Sequence, residues 1–164
     1  LAQIPHPPIA CGALGFRRTQ IKHPLDGFGA LVPSTEGKNL LGAIFASTLF
    51  PGRAPDDHVL INCFLGGARN PVIGQLEAND LLEILLPELS RMLGVHGSPI
   101  FVDVKKWNKS IPQCNLGHER FLEILDGVEN KHTGLTFAGS YRSGVSVGQC
   151  IRAGWAAAQI QEQC

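Results

Sequence analysis

The chain has 164 residues with 14 basic and 14 acidic side chains, so its formal net charge is zero. This length is enough for one ordinary domain with a sizeable core. The absence of a basic stripe argues against nucleic acid as a partner, and no apolar run reaches the roughly 18 residues that a membrane-spanning helix needs.

The first part of the chain predicts a small sheet. Residues 1–9 hold three prolines and should be extended, and residues 10–18 form a strand candidate. Short apolar runs bounded by turn residues predict three more strands, at residues 27–33, 40–47 and 59–65. The connection Ser34-Thr35-Glu36-Gly37 is tight enough to make the first two of these an antiparallel hairpin. The longer loop of residues 51–57 returns the third as part of a meander.

The middle of the chain carries the clearest helix signal. Leucines recur at helical spacing over residues 77–93, and Gly94 follows as a C-cap. Pro87 removes one hydrogen bond from this segment, so the helix should either kink there or break into two. A strand at residues 100–104, which continues into Trp107, comes next.

The last third of the chain mixes helices with one short strand. The pattern predicts a helix over residues 116–125, a strand over 134–138, a turn over 139–143 and a final helix from Gly144 to about Gln161. Together with the preceding elements this predicts an α+β fold. We expect a mainly antiparallel sheet of about five strands, covered on one face by the helix of residues 77–93.

No self-contained catalytic machinery is visible in the sequence. The histidines do not pair at i, i+4 with another ligand, there is no GxSxG elbow, and no glycine spacing matches GxGxxG or the phosphate-binding loop. We therefore predict no metal site and no catalytic side chain. The five cysteines lack metal-ligand or CxxC spacing, and this predicts reduced thiols in an intracellular protein.

Two features leave a functional interpretation open. The aromatic residues Phe28, Phe45 and Phe64 in the sheet are either ordinary core or the lining of a pocket. The segment of residues 134–147 leads through a glycine-bounded turn into a helix N-terminus, where free backbone N–H groups and a positive dipole end coincide. This turn is either an ordinary connection or a contact for a ligand atom that carries negative charge.

Five motifs in sequence order carry a family resemblance. They are GFGALVPS, FPGRAP, FLGGAR, the segment from Trp107 through Ile111-Pro112-Gln113 to Gly117-His118, and GLTFAGSYRSGVSVGQCIRAG. Together they resemble the carboxy-terminal part of the oxygen-dependent protoporphyrinogen IX oxidases, flavoenzymes of the amine oxidase superfamily. The resemblance extends from about residue 10 to residue 158, and the last motif is shared by the wider superfamily.

The resemblance implies an activity, a cofactor and a set of site residues. Members bind FAD noncovalently and oxidise protoporphyrinogen IX to protoporphyrin IX with molecular oxygen, in haem and chlorophyll synthesis. The flavin performs the chemistry, so no catalytic side chain is implied. Positions that line the tetrapyrrole pocket fall on Phe28, Gly29, Leu31, Ile44 and Phe64. Positions near the flavin fall on Trp107, Gly144, Val145, Ser146 and Val147.

The resemblance also implies an incomplete enzyme. Because the sequence begins at Leu1 and not at Met, we expect a piece of a longer polypeptide. FAD binding should need an amino-terminal half, so the fragment alone should be inactive. Residues 1–106 would be part of a substrate-binding sheet domain, and residues 107–164 part of an FAD-binding domain. The intact enzyme is expected in the cytoplasm or peripherally on a membrane, and as a homodimer.

Other functions remain open at this point. The chain could be a non-catalytic module that binds a tetrapyrrole or a protein partner. It could also belong to another flavoenzyme of the superfamily, such as an amine oxidase or a phytoene desaturase. These share the last motif but do not combine GFGALVPS with FLGGAR.

Overall fold

A computed structural model describes the backbone of residues 2–162 and the side chains of residues 2–159. The chain divides into two units. The sheet unit is Pro8–Ser110, and the terminal unit comprises the described residues of Leu1–Pro7 and Ile111–Cys164. The predicted boundary, between residues 106 and 107, lies close to this division, and the assignment of the parts to a substrate domain and an FAD domain stays a prediction.

The sheet unit is built on five antiparallel strands in the spatial order β2-β3-β4-β1-β5. The strands are β1 (Ile9–Arg17), β2 (Gly29–Leu31), β3 (Leu40–Phe45), β4 (His58–Gly66) and β5 (Phe101–Trp107). The predicted hairpin is confirmed as β2 paired with β3, and the predicted meander continues into β4. The α+β fold with about five mainly antiparallel strands is therefore confirmed.

Two helices complete the sheet unit: the short α1 (Ala46–Leu49) and the long α2 (Ala78–Leu93). Pro87 lies inside α2 without breaking it. Leu81, Leu85, Leu89 and Leu93 recur on one side of α2 and are buried in the core. This apolar stripe covers one face of the sheet, as the leucine spacing predicted.

A buried carboxylate fixes α2 to the hairpin. Glu88 is 6% exposed, and its two carboxylate oxygens accept the backbone N–H groups of Asn39 and Leu40, each at 2.9 Å. Hydrogen bonds from backbone donors make a buried carboxylate tolerable because they replace the water that burial removes. The start of β3 is therefore held against the helix by polar contacts as well as by packing.

The terminal unit contains three helices: α3 (Glu119–Glu129), the single turn α4 (Ser140–Ser143) and α5 (Val147–Glu162). The predicted helices are confirmed, with α3 starting and ending later than expected. The strand predicted at residues 134–138 was wrong, because this segment has no regular structure. Its N–H groups bond locally: Leu135 donates to the His132 carbonyl and Phe137 to the Glu129 carboxylate, so no strand partner is taken up.

Two further findings bear on function. Among residues 2–162, no helix combines the length and the apolarity needed to cross a membrane. Cys11, Cys63, Cys114 and Cys150 are free thiols, while Cys164 lies outside the described residues.

Candidate functional site

The two faces of the sheet differ in what covers them. Side chains of one strand alternate between the faces, and cross-strand partners lie on the same face. On β1, Gly12 faces α2, where its Cβ position is 3.5 Å from Leu85. Cys11 and Ala13 must then point to the opposite side, which we call the open face.

The open face carries four of the five predicted substrate residues. The pairing puts Leu31, Gly42, Phe64, Cys11 and Lys105 in one row across the strands, and Gly29, Ile44, Asn62, Ala13 and Asp103 in the next. The predicted residues Gly29, Leu31, Ile44 and Phe64 are thus neighbours on one surface. Residues that are up to 35 positions apart in the sequence meet here because the hairpin and the meander fold back on each other.

A small hollow lies at this part of the open face. It measures about 130 Å³ and is lined by Phe28, Ala30, Leu31, Gly42, Ala43, Ile44 and Phe64. Phe28, the fifth predicted substrate residue, therefore joins the others; it is 69% exposed and Leu31 is 91% exposed. Ligand pockets usually measure about 300–1,000 Å³. In this chain the surface is therefore one apolar wall and not a closed pocket.

Gly29 is required by the way β2 approaches β3. Its φ of 151° lies where glycine is favoured, and a Cβ there would collide with the Ala43 carbonyl oxygen. The tight hairpin therefore depends on glycine at this position, whatever Gly29 contacts on the other side.

A larger groove opens at the other end of the open face. It measures about 420 Å³ and is lined by Gly15, Arg53, Ala54, Pro55, His58, Val59, Leu60, Ile100 and Phe101. Leu60 and Phe101 both pair with Gly15 of β1, so they lie on the open face in a third row. Sequence patterns do not predict this groove, because its walls come from the loop between β3 and β4 and from three strands far apart in the chain, β1, β4 and β5.

Trp107 lies at the end of β5, on the same face. It pairs with Ile9 of β1, whose side chain points to the same side as those of Cys11 and Ala13, and it is 44% exposed.

The edge next to Trp107 is more polar, since Asp103 and Lys105 are exposed on the open face. Burial and the nearby Asp103 raise the pKa of the Cys11 thiol, so Cys11 contributes a neutral surface.

Asn62 is the open-face residue that the sequence-based site missed. It stands between Leu60 and Phe64 on β4, within the apolar run that predicted the strand. Strand alternation alone would have put these three residues on one face. The available signal was a single amide between two apolar residues of the same strand face, Leu60 and Phe64.

The remaining predicted residues lie in the terminal unit, just before α5. Ser146 caps this helix: its Oγ accepts the N–H of Gln149 at 3.2 Å, and its own N–H donates to Oε1 of Gln149 at 3.1 Å. This is a capping box. Gly144 has a φ of 112°, and the Gln149 amide occupies the place where a Cβ of Gly144 would be.

An arginine holds the turn before α5. Arg142 donates from Nη1 and Nη2 to the two carboxylate oxygens of Glu129, at 2.8 and 2.9 Å, and also binds Asp126. The hydrogen bonds from Arg142, and next the backbone N–H of Phe137, lower the pKa of the Glu129 carboxyl. The bidentate pair ties α4 to α3, so the path of the turn does not depend on α4 alone.

His118 makes a second contact to the same turn. Its Nε2 donates to the Tyr141 carbonyl at 2.7 Å, while its buried Nδ1 has no partner among the described residues. Because a carbonyl only accepts, this contact requires a hydrogen on Nε2. The turn is thereby held at two neighbouring residues, through the Tyr141 carbonyl and the Arg142 side chain.

Comparison with known proteins gives one family and a consistent set of relatives. The family described as "Flavin containing amine oxidoreductase" matches residues 1–160. Protoporphyrinogen oxidase 2, chloroplastic/mitochondrial, of Arabidopsis thaliana is 36% identical over an alignment of 163 residues, which covers 98% of this chain and 32% of that protein. The mitochondrial protoporphyrinogen oxidase of Nicotiana tabacum is 35% identical, with the same coverage of both chains.

More distant similarity extends to bacterial proteins. Coproporphyrinogen III oxidase of Bacillus subtilis (strain 168) is 27% identical over 150 residues, covering 91% of this chain and 32% of that protein. The chain thus spans about a third of the length of the curated relatives it matches.

Two crystal structures share the fold. A protein from Exiguobacterium sp. 255-15, provisionally assigned as a protoporphyrinogen oxidase, superposes with a TM-score of 0.82 at 20% identity, covering 99% of this chain and 36% of that one. Reduced UDP-galactopyranose mutase gives a TM-score of 0.75 at 11% identity, covering 99% and 35%.

Proposed function

The chain belongs to the flavin-containing amine oxidoreductase family, and from this we propose that it is the carboxy-terminal part of an FAD-dependent oxidase. The proposed reaction converts protoporphyrinogen IX to protoporphyrin IX with molecular oxygen as the oxidant, in haem or chlorophyll synthesis. The observation that carries the proposal is the unbroken similarity to plant protoporphyrinogen oxidases over nearly the whole chain.

In this proposal the open face binds the tetrapyrrole. A large apolar macrocycle needs aromatic and branched side chains over a broad area, and Phe28, Leu31, Ile44 and Phe64 supply them around one hollow. Since that hollow is far smaller than an ordinary ligand pocket, the opposite wall would have to come from outside this chain. Gly29 would keep the hairpin backbone close to the ligand.

The proposed flavin contacts are Trp107 and the segment from Gly144 to Val147. The start of α5 fits such a role, because the first N–H groups of a helix lack intrahelical partners and Val147 is 77% exposed. The N–H of Ser146 is already used by Gln149, so a flavin contact there requires the Gln149 side chain to move. The chemistry that FAD supplies in such enzymes is oxidation of the substrate, while the protein supplies position and electrostatics.

The rest of the proposed enzyme would cover exposed apolar surface in the terminal unit. Val147, Ile151 and Trp155 lie one helical turn apart on α5 and are each 67% exposed or more. Contiguous exposed apolar surface of this kind is typical of an interaction site. We propose that an amino-terminal FAD-binding half packs here, and that the intact enzyme is an intracellular homodimer associated peripherally with a membrane.

A graft tests the proposed activity. The part of Arabidopsis protoporphyrinogen oxidase 2 that matches this chain would be replaced by residues 1–164, and oxygen-dependent porphyrin fluorescence would be measured with protoporphyrinogen IX as substrate. We expect a yellow, active protein. A graft that retains FAD but oxidises coproporphyrinogen III in place of protoporphyrinogen IX would overturn the substrate, and a folded graft without FAD would overturn the whole proposal.

Phe64→Ala in the graft separates the proposed pocket from ordinary packing. Because Phe64 lies on the open face and not against α2, we expect the Michaelis constant to rise about tenfold while the melting temperature changes by only a few degrees. The matched control is Phe50→Ala, since Phe50 is 54% exposed and does not line the hollow. A large loss of melting temperature with an unchanged Michaelis constant would make Phe64 a core residue.

A further inference from the structure

Asn62 places a polar group in the middle of the open face. Its cross-strand neighbours are Ile44 on β3 and Ala13 on β1, and Leu60 and Phe64 flank it on the same side of β4. The side chain is half-buried. Among residues 2–159, whose side chains the structure describes, none makes a hydrogen bond to its amide.

The position of Asn62 relative to the two hollows is informative. Phe64 lines the smaller hollow and Leu60 lines the larger groove, and these residues are four positions apart on β4, roughly 13 Å. A flat ligand that spans both would cover Asn62 near its centre. Covering the amide removes its water, and an uncompensated amide then weakens binding. A ligand that fits this face therefore needs a polar group at its centre and apolar groups around it.

A tetrapyrrole has this distribution of groups. Its pyrrole nitrogens point to the middle of the ring, its methyl and vinyl groups lie at the edge, and its carboxylates extend beyond the edge. A porphyrinogen has four N–H donors and no acceptor nitrogen, while a porphyrin has two of each. An amide carbonyl oxygen is an acceptor with two lone pairs, so it complements the reduced ring better than the oxidised one.

We propose that Oδ1 of Asn62 accepts hydrogen bonds from the pyrrole N–H groups of a tetrapyrrole lying on the open face, and thereby centres the ring. This inference rests on the proposed function, which supplies the class of ligand. It adds the residue that positions the ligand and the atom that makes the contact. Asn62 takes no part in the oxidation itself. It fixes where the ring lies, and it favours the reduced ring over the oxidised product.

The test measures binding by the graft, which supplies the opposite wall, with two probes that differ at the ring centre. Mesoporphyrinogen IX has four pyrrole N–H groups, which its tetrahedral bridging carbons allow to tilt toward an acceptor below the ring. Nickel(II) mesoporphyrin IX has none, while the edges and carboxylates of the two probes are the same. Anaerobic equilibrium dialysis gives the affinity of each probe. We expect Asn62→Leu to weaken mesoporphyrinogen IX about tenfold, the usual scale for one lost hydrogen bond, and the nickel form less than twofold.

Two variants control this experiment. Leu60→Ala removes apolar contact on the same side of β4, so it should weaken both probes by the same factor. Asn62→Asp keeps an acceptor at the same place but removes the amide N–H donors, so it should retain the preference for mesoporphyrinogen IX. Since the amide has no protein partner to lose, both Asn62 variants should unfold at nearly the wild-type denaturant midpoint.

Several outcomes would overturn the assignment. Equal weakening of both probes by Asn62→Leu, or loss of binding in Asn62→Asp, would mean that the amide binds carboxylates or only packs. Unchanged affinities in the Asn62→Leu graft, or no binding of either probe by a folded graft that carries the wild-type sequence of this chain, would mean that Asn62 is not a contact. The graft keeps the two proposals separate. If the graft is inactive but its binding depends on the pyrrole N–H groups, the role of Asn62 stands and the oxidase activity does not. If the graft is active and Asn62→Leu leaves it unaffected, the oxidase activity stands and the role of Asn62 does not.

Discussion

The two units of this chain are stabilised by different interactions. The sheet unit buries apolar side chains of β1, β3, β4 and α2 in one core. In the terminal unit, the buried apolar side chains among those described are Ile4, Pro112 and Leu125. The turn of this unit is held by Arg142, Glu129 and His118. A unit with a core of this size can be stable alone, whereas a few ion pairs near the surface contribute little. The sheet unit should therefore carry most of the stability of the chain.

The largest expected effect is in the core beneath α2. Leu85 is 1% exposed and lies against β1 at Gly12. Leu85→Ala should lower the free energy of unfolding by about 2–5 kcal/mol, because it removes buried methyl groups and leaves a cavity. Urea unfolding followed by circular dichroism measures this loss.

The matched control is the same substitution in the terminal unit. Leu116 is fully exposed, so Leu116→Ala should change the free energy of unfolding by less than about 0.5 kcal/mol. Similar losses from both substitutions would contradict the view that the stability resides in the sheet unit.

A smaller effect is expected for the polar contact within that core. Glu88→Gln keeps the shape of the side chain but removes the charge and one of the two acceptors used by Asn39 and Leu40. The free energy of unfolding should fall by about 1.5–3 kcal/mol, the range for hydrogen bonds to a charged group. Glu83→Gln on the exposed side of α2 is the control and should have almost no effect. If the two variants unfold at the same urea concentration, the buried carboxylate does not hold the hairpin.

Sequence patterns predicted well where local signals and burial agreed. The apolar runs with glycine and proline at their ends placed β2, β3 and β4, and the leucine spacing placed α2 even across Pro87. The predicted substrate residues rest on a family resemblance. These residues lie on one face because their strands are paired, and the hairpin and meander predicted from the sequence already imply that pairing.

The failures are contacts between distant residues. Nothing local to Glu88 shows that Asn39, 49 positions away, will supply its hydrogen-bond donors. The strand predicted at residues 134–138 failed because a strand needs a neighbour, and a carboxylate on α3 took the Phe137 N–H first. The sequence does not single out Asn62 for a different reason: a polar residue inside an apolar run predicts a position in a strand, and its neighbours on the sheet face follow only from the pairing of β4 with β1 and β3.

The smallest expected effect concerns the ion pair of the terminal unit and depends on pH. Hydrogen bonds from Arg142 lower the pKa of Glu129 in the folded state, so its contribution is complete above the unfolded pKa of about 4.3 and is lost as the pH falls through the lower, folded pKa. Glu129→Gln should cost no more than about 1 kcal/mol at pH 7 and nothing in strong acid. The change is local, so it is best measured as hydrogen-exchange protection of the Phe137 amide, which donates to Glu129 at 2.6 Å.

The exposed Glu123 on the same helix provides the control, since Glu123→Gln should leave the protection unchanged at every pH. If the protection lost in Glu129→Gln did not vary between pH 7 and pH 3, or if added salt left it unaltered, the turn before α5 would be held by packing and neutral hydrogen bonds, and the contrast between the two units would be one of size alone.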